Sequence, residues 1–248
     1  VSDHYSLEET AAPAAEPLSL ANAKVHLRYD DIIFTAGSFV IGETYTIKTA
    51  GTTNFTLIGA ADSVPGTSFV ATGAGTGTGT AALGIEDTLI NALIKAARKR
   101  LEADTGRALI TQTWDLFLDR FPVDDGPIYI PKPPVQSITS IKYIDSDGVE
   151  QTWDGANYRT DLKSAPARIT PAYNVSYPTA RDITNAVTVR FVCGYGAAGS
   201  DVEDDLVQAV KLLVGHWYEF RESILAGIIV AEVPQTYTWL HWPHRIWV

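Results

Sequence analysis

Two stretches of this 248-residue chain repeat apolar positions at helical spacing, and most of the remainder alternates or clusters β-branched residues as strands do. The stronger helical stretch is EDTLINALIKAARKRLEADTG. In it Leu89, Leu93, Ala96, Ala97 and Leu101 form an apolar stripe, Arg98 and Glu102 stand at i,i+4, and Gly106 offers a C-terminal stop. The second is EDDLVQAVKLLVGHWYEFRES, with Glu203, Asp204 and Asp205 near its positive end and Arg221 near its negative end. Its packing face is Leu206, Ala209, Val210, Leu213, Val214 and Trp217. A shorter helix, LANAKVHLR, follows Ser19 as its cap, with Leu20, Ala23 and Leu27 on one face and Lys24 and Arg28 pointing outward. It is too short to stand without a partner.

The strand patterns fall into two regions. ITQTWDLFLDRF alternates, PIYIPKPP is a short Pro-bounded strand, and SITSIKYIDSDGVEQTW is a hairpin turning at Asp145, Ser146, Asp147 and Gly148. NYRTDL and ARITPAY add short segments, and AVTVRFVCGYG is a strong final strand. Together they predict a mostly antiparallel sheet with the two Pro-flanked pieces at its edges. From 32 to 84 the composition changes: Glu43, Lys48 and Asp62 are the only charges among Thr, Gly, Ala and β-branched residues. SFVIGETYTIKT, TNFTLIGA and GTSFVATG read as strands, closed by GAGTGTGTAA. A module this small buries a thin core and is expected to lean on its host domain or on another subunit. Residues 1–18 are acidic, Ala/Pro-rich and aperiodic, as in a mobile arm or a strap lying on a neighbour. The predicted fold is α+β: long packed helices, a mostly antiparallel β region and a small all-β inserted module. Its organisation is an arm at 1–18, a core at 19–31 and 85–248, and the module at 32–84.

A hydrophobic fraction of 46% is ample for a core. Lys+Arg 19 against Asp+Glu 29 leaves a net charge of -10, which argues against a surface that wraps nucleic acid and permits a local basic patch. Cys193 is the single cysteine, which excludes an intrachain disulfide framework and a multi-cysteine zinc site. No apolar run approaches the roughly 20 residues of a membrane span; the nearest, 224–233, contains Glu232. VSDHYSLEETAAPAAEP has early acids and no apolar centre, so it does not read as a signal peptide. A soluble chain without a membrane partner is expected.

Motifs for chemistry are sparse. Gly73, Gly75, Gly77 and Gly79 superficially resemble a phosphate loop, but Thr80, Ala81 and Ala82 follow where a Lys-Ser/Thr pair is needed, so the run reads as a loop or edge strand. His241 and His244 lack a neighbouring carboxylate or thiol in sequence, and His216 reads as a partly buried helix residue. Asp145, Asp147 and Glu150 lack the spacing of a calcium loop and fit a hairpin turn. Asp124/Asp125 and Asp204/Asp205 read as solvated turn and helix-start residues, and no nucleophile elbow, zincin helix or triad signature occurs. No catalytic residue, metal or cofactor is predicted. The basic cluster Lys95, Arg98, Lys99, Arg100 and Arg107 has three readings: a solvated helix face, a docking face for an acidic neighbouring subunit, or contact with nucleic acid. Trp239, Trp242 and Trp247 load the last residues with apolar surface that is expected to dock on the chain's own core or on a partner.

The order LSLANAKVHLR, LINALIKAARKRLEADTGRALITQTWDLFLDRFP, IYIPKPPVQSITSIKYIDSDGVEQTW, AVTVRFVCGYG and LVQAVKLLVGHWYEFRES resembles the head–tail connector (adaptor) proteins of tailed bacteriophages and prophages. The strongest matches are 97–107, with its Ala-Arg, Glu-Ala and Thr-Gly-Arg steps, Pro-Lys-Pro-Pro at 131–134, and Gly-His-Trp-Tyr-Glu at 215–219. The resemblance leaves out the arm and the β module; Tyr29-Asp30-Asp31 and Glu86-Asp87 look like the ends of a short acidic loop into which the module is inserted.

The resemblance implies a structural virion protein of the neck, assembled in the bacterial host cytoplasm. Such proteins form a homo-oligomeric ring, commonly of twelve copies, beneath the portal protein, extend the DNA channel, and present a surface to the tail or stopper protein. DNA would pass without sequence-specific binding, and acids facing the lumen would let it slide. On this reading Arg98, Lys99 and Arg107 are expected at subunit contacts and Trp239, Trp242 and Trp247 at the portal or a neighbour, with packing on the chain's own core equally open. Trp217 and Tyr218 are expected inside the subunit. The rivals are another neck component such as a stopper or tail-completion protein, a glycan-binding role for the β module, and an enzyme. Phe39, Tyr45, Phe55 and Phe69 are among the few aromatics such a glycan module could offer.

Overall fold

The computed structural model describes residues 5–220 and 235–246 and shows an α+β fold of helices and antiparallel sheets. In chain order its elements begin with β1 (Tyr5–Ala11), α1 (Leu20–Leu27), β2 (Ile32–Thr35), β3 (Thr44–Thr49), β4 (Ser68–Val70), β5 (Thr80–Leu83) and α2 (Asp87–Thr105). Then follow β6 (Gln112–Leu118), β7 (Ile128–Ile130), β8 (Val135–Ile144), β9 (Glu150–Trp153), β10 (Tyr158–Asp161) and β11 (Ala167–Pro171). The last are β12 (Val187–Cys193), α3 (Asp204–Glu219) and α4 (Gln235–His241). The chain divides into two compact units, Val1–Ser19 with Ile94–Val248, and Leu20–Leu93.

In the first unit the strictest alternation in the sequence becomes the middle of the largest sheet, ordered β1-β6-β12-β8-β9. Val187, Val189, Phe191 and Cys193 are buried on one face of β12, and Val189 pairs with Leu116 on one side and Ile141 on the other. Burying each such side chain stabilises the fold by about 1.5–3 kcal/mol. On the opposite face Arg190 donates to both oxygens of Asp115, at 2.8 and 2.7 Å. The predicted hairpin forms as β8 and β9, its turn closed by Asp145, whose carboxylate accepts from Asp147 N, Val149 N and Gln151 Nε2. Those hydrogen bonds, led by Val149 N, hold the Asp145 carboxyl below its ordinary pKa, so the turn uses the oxygens that a calcium loop would need.

Three expectations for this unit are corrected. First, the segment read as a mobile arm or a strap on a neighbour contains β1, which pairs antiparallel with β6 of its own chain from Tyr5↔Leu118 to Ala11↔Thr113 and lays Leu7 against the core. An edge strand needs backbone partners on one side only and few apolar side chains, so a polar sequence suffices. Second, the β region makes two sheets, the second ordered β10-β11-β7. Third, of the Pro-flanked strands, β7 is at an edge but β11 is central; Pro171 ends that strand, where a missing N–H costs little.

The second unit holds a four-stranded sheet ordered β2-β5-β3-β4 over a core of Phe39, Tyr45, Ile47, Phe55, Ile58 and Phe69. Phe55 and Phe69 meet edge to face with centroids 5.5 Å apart, as do Phe39 and Phe69 at 6.0 Å. TNFTLIGA, expected as a strand, instead forms a 3₁₀ turn over Phe55–Ile58. Asn54 Oδ1 accepts from Thr56 N, and Gly59 ends the turn in the left-handed region at φ 106°. The glycine run packs as a loop against 50–53: a side chain on Gly77, φ 108°, would meet Thr53 Oγ1 at 2.8 Å. Lys24, expected to point outward, binds Asp31 at 2.7 Å and also Asp87, and Asp31 binds Lys48 at 2.7 Å.

On α2 the buried stripe is Ile90, Ile94, Ala97 and Leu101, whereas Leu89 and Leu93 are half-buried and Ala96 is exposed. The face is turned because Arg98 and Glu102 join it. On α3 Leu206, Ala209, Val210, Leu213 and Val214 are buried as the spacing predicted, while Trp217 and Tyr218 are half-buried. Arg221, Trp247 and the 224–233 run lie outside the described residues.

Candidate functional site

The residues singled out in sequence converge on the C-terminal end of α2, which receives the last described segment, 235–246. Thr105 Oγ1 donates to Leu101 O at 2.7 Å, and Gly106, at φ 70°, closes the helix by donating to Glu102 O at 3.0 Å. The chain then turns so that Arg107 Nε donates to His244 O at 2.5 Å and Ile246 N to Thr105 O at 2.8 Å. Tyr237 Oη donates to Asp104 Oδ2 at 2.7 Å, and Tyr237 and His241 are buried. The Thr-Gly-Arg step of the connector-like motif thus has a mechanical meaning: it caps a helix and ties down the C-terminal segment.

Arg98 is withdrawn from the surface. Its side chain is 3% exposed; Nε donates to Glu16 at 2.7 Å and a terminal nitrogen to Glu102 at 2.8 Å. The other Glu102 oxygen accepts from Leu109 N and Gln112 Nε2, both at 2.9 Å, and Gln112 Oε1 accepts from Trp114 Nε1. Burial opposes the charge on Arg98, but Glu102 and then Glu16 outweigh it and raise its pKa. Within its own chain Arg98 is thus held by two carboxylates. Arg107 is half-buried and committed to His244, while Lys99 is exposed, as are Lys95 and Arg100. Arg100 pairs with Asp104 at 2.9 Å.

The tryptophans divide from the rest of their segment. α4 turns Tyr237 and His241 inward and leaves Trp239 69% and Trp242 51% exposed, with the Arg245 guanidinium 5.8 Å from the Trp242 ring centre. The segment therefore docks on its own unit through other residues while presenting two indoles outward.

One cluster was not legible in sequence. His244 meets Asp205, with Nε2 2.6 Å from Oδ2, and Glu203, with Nδ1 3.4 Å from Oε2. These are the three residues among those described whose ligand atoms gather closely enough to suit a metal ion. One ligand atom from each of the three lies within 4.8 Å of the other two, with Asp205 and His244 half-buried and Glu203 exposed. His244 Nε2 and Asp205 Oδ2 are within hydrogen-bond distance of each other, at 2.6 Å. His216 packs its ring against Phe220, centroids 5.2 Å apart, and Asp125 accepts from Ser176 Oγ and Tyr177 N, which lie 51 and 52 residues further along the chain. Burial pushes the Cys193 thiol up to about 12, which leaves it without nucleophilic thiolate near neutrality. Among the described residues no helix is long and apolar enough to cross a membrane.

No protein-family model matches the sequence, and no curated protein matches it. Solved structures do. The chain is similar to one in the neck of an empty gene transfer agent (GTA) particle computed with C6 symmetry, at 24% identity over 98% of this chain and 97% of that one, with a TM-score of 0.63. It is similar to one in the virion of a native GTA particle at 22% identity, over 98% and 96%, with a TM-score of 0.64. A chain in the neck of a native GTA particle computed with C12 symmetry matches at 27% identity, over 65% of this chain and 85% of that one, with a TM-score of 0.55. The chain shares its fold with a component of GTA necks and virions.

Proposed function

We propose that this chain is a structural, non-catalytic component of the neck of a phage-like or gene-transfer-agent particle. The observation that carries the reading is a fold shared over nearly the whole length of both chains with a component of a GTA neck. Within the neck, the connector-like motifs favour a ring against the portal protein that extends the DNA channel and receives the tail or stopper protein. C6 and C12 symmetries were used for the similar necks, and both suit a twelve-membered ring. A net charge of -10 suits a channel through which DNA slides without sequence-specific binding.

The second reading is a stopper or tail-completion protein. It is favoured because the structural likenesses point to the neck as a whole and to no particular layer of it. A glycan-binding role for the β module loses its support, since Phe39, Tyr45, Phe55 and Phe69 are all buried and offer no stacking face. For the contacts we infer Lys99, Trp239 and Trp242, which are exposed, together with Trp247; Arg98 and Arg107 serve indirectly by shaping the end of α2.

The test is a symmetry-resolved electron-microscopy reconstruction of the neck of the particle that encodes the chain. A closed ring of this chain seated on the portal is expected. A layer touching only the tail side selects the stopper reading, and absence from the neck overturns both.

A further inference from the structure

Segment 235–246 delivers an imidazole to the start of α3. His244 lies beside Asp205, 39 residues earlier in the chain, and beside Glu203, and a ligand atom from each of the three falls within 4.8 Å of the other two. A zinc ion held tetrahedrally by nitrogen and oxygen at about 2.0–2.2 Å keeps its ligand atoms roughly 3.3 Å apart. The spacings found, 2.6 Å from Nε2 to Asp205 and 3.4 Å from Nδ1 to Glu203, lie on either side of that value, and the Glu203 side chain, 48% exposed, is free to swing. Tyr195 gives an independent sign. Its hydroxyl oxygen is buried near Glu203 without a well-formed hydrogen bond, a state that a bound water or a metal's water relieves. We propose that Glu203, Asp205 and His244 form a binding site for a divalent transition-metal ion of the zinc type, which fastens segment 235–246 to α3, with Tyr195 Oη meeting the water that completes the ion's shell.

The donor set selects the ion. One imidazole with two carboxylates suits zinc and its neighbours in the first transition row, whereas magnesium and calcium take oxygen donors throughout. The charges favour a cation. Glu203, Asp204 and Asp205 stand together at one helix end, and among the described residues His244 is the basic side chain that meets Glu203 and Asp205. The positive end of α3 opposes the ion with only about half a charge, less than either carboxylate supplies. Arg107 opposes it too, but its Nε is turned to the His244 carbonyl oxygen. That bond, with Ile246 N on Thr105 O two residues on, fixes the backbone that presents the ring. His241 is turned away, its Nδ1 on Tyr237 O, and does not compete. Because the three ligands come from two distant segments, the ion binds only when 235–246 is docked and so stabilises the docked state by mass action.

The site lies within one unit and stands or falls separately from the neck reading. Its test is calorimetric titration of the full chain, first stripped of metal by a chelator, with zinc ion alone, followed by hydrogen exchange with and without zinc. Binding of one zinc ion per chain is expected, and at a free concentration about a hundred times the dissociation constant the protection of 235–246 is expected to rise by up to about a hundredfold. Asp205→Asn and Glu203→Gln are each expected to weaken binding about tenfold or more, and His244→Gln to abolish it. The two carboxylate variants keep the ring and its backbone contacts, so they decide the matter if His244→Gln undocks the segment. No zinc binding would leave His244 and Asp205 as a hydrogen-bonded pair only and overturn the proposal. Binding of undiminished strength in the carboxylate variants would place the zinc at another histidine and overturn it equally.

Discussion

Arg98 and Glu16 join two points 82 residues apart, with Arg98 Nε donating to Glu16 Oε2 at 2.7 Å. The same guanidinium pairs with Glu102, which in turn receives the chain as it leaves α2 at Leu109 and Gln112. Removing one member of a buried pair strands the other charge. Arg98→Met is therefore expected to cost about 3 kcal/mol. Glu16→Gln is expected to cost under about 1 kcal/mol, because Glu16 is 29% exposed. Urea unfolding of both variants measures the difference; an Arg98→Met protein as stable as the native chain would show the network to be incidental.

The aromatic core of the Leu20–Leu93 unit makes a second case. Phe55 is fully buried between Phe39 and Phe69, so Phe55→Ala is expected to destabilise the unit by about 3–5 kcal/mol. Leu57, two residues away and exposed, is expected to tolerate Ala within about 0.5 kcal/mol. Hydrogen exchange resolved to this unit reads both; similar effects at the two positions would contradict the packing described.

Asp31 links acid to the stability of the same unit. Burial alone would raise its pKa, but hydrogen bonds and charge from Lys24 and Lys48 prevail and hold it below the ordinary value. A depressed carboxyl stabilises above its unfolded pKa, about 3.9, and that contribution is lost as pH falls through the folded value. Asp31→Asn is thus expected to be less stable than the native chain at neutral pH, by about 1–2 kcal/mol, with the gap closing below about pH 4. Melting curves across pH 2.5–7 test the sign, and a gap that widened in acid would refute it.

Cys193 offers a probe of global opening. With its thiol pushed up to about 12 and buried in β12, alkylation at pH 8 is expected to be slow in the native chain and to accelerate only through the urea transition. Rapid labelling without denaturant would mean that β12 opens locally.

The paired substitution Trp239→Ala with Trp242→Ala separates assembly from folding. Both rings are mostly exposed, so each change is expected to alter stability by no more than about 0.5 kcal/mol. Incorporation into particles, read by composition of purified necks, is expected to fall sharply. Normal incorporation would remove these two residues from the interface.

Elements encoded in neighbouring residues are legible in the amino-acid sequence. The span of α2, the packing face of α3, the hairpin closed by Asp145 and the alternation of β12 all follow from a local period or from turn chemistry, and so does the α+β class. The acidic balance and the order of connector-like motifs are legible there too. Tertiary structure decided the rest because the deciding partners lie far away in sequence. Arg98 and Glu102 count as polar in any pattern and become core only when they meet Glu16, Leu109 and Gln112. Tyr5–Ala11 is a strand only because β6 offers it an edge, and Asn54 makes a helical turn because its side chain caps the backbone where β propensity favours extension. His244 acquires its carboxylates from a helix that begins 40 residues earlier, and which of the C-terminal aromatics face outward depends on how α4 lies against Asp104 and Thr105. A one-dimensional pattern records which residues can be buried; burial and charge pairing between distant segments are settled only when the chain closes on itself.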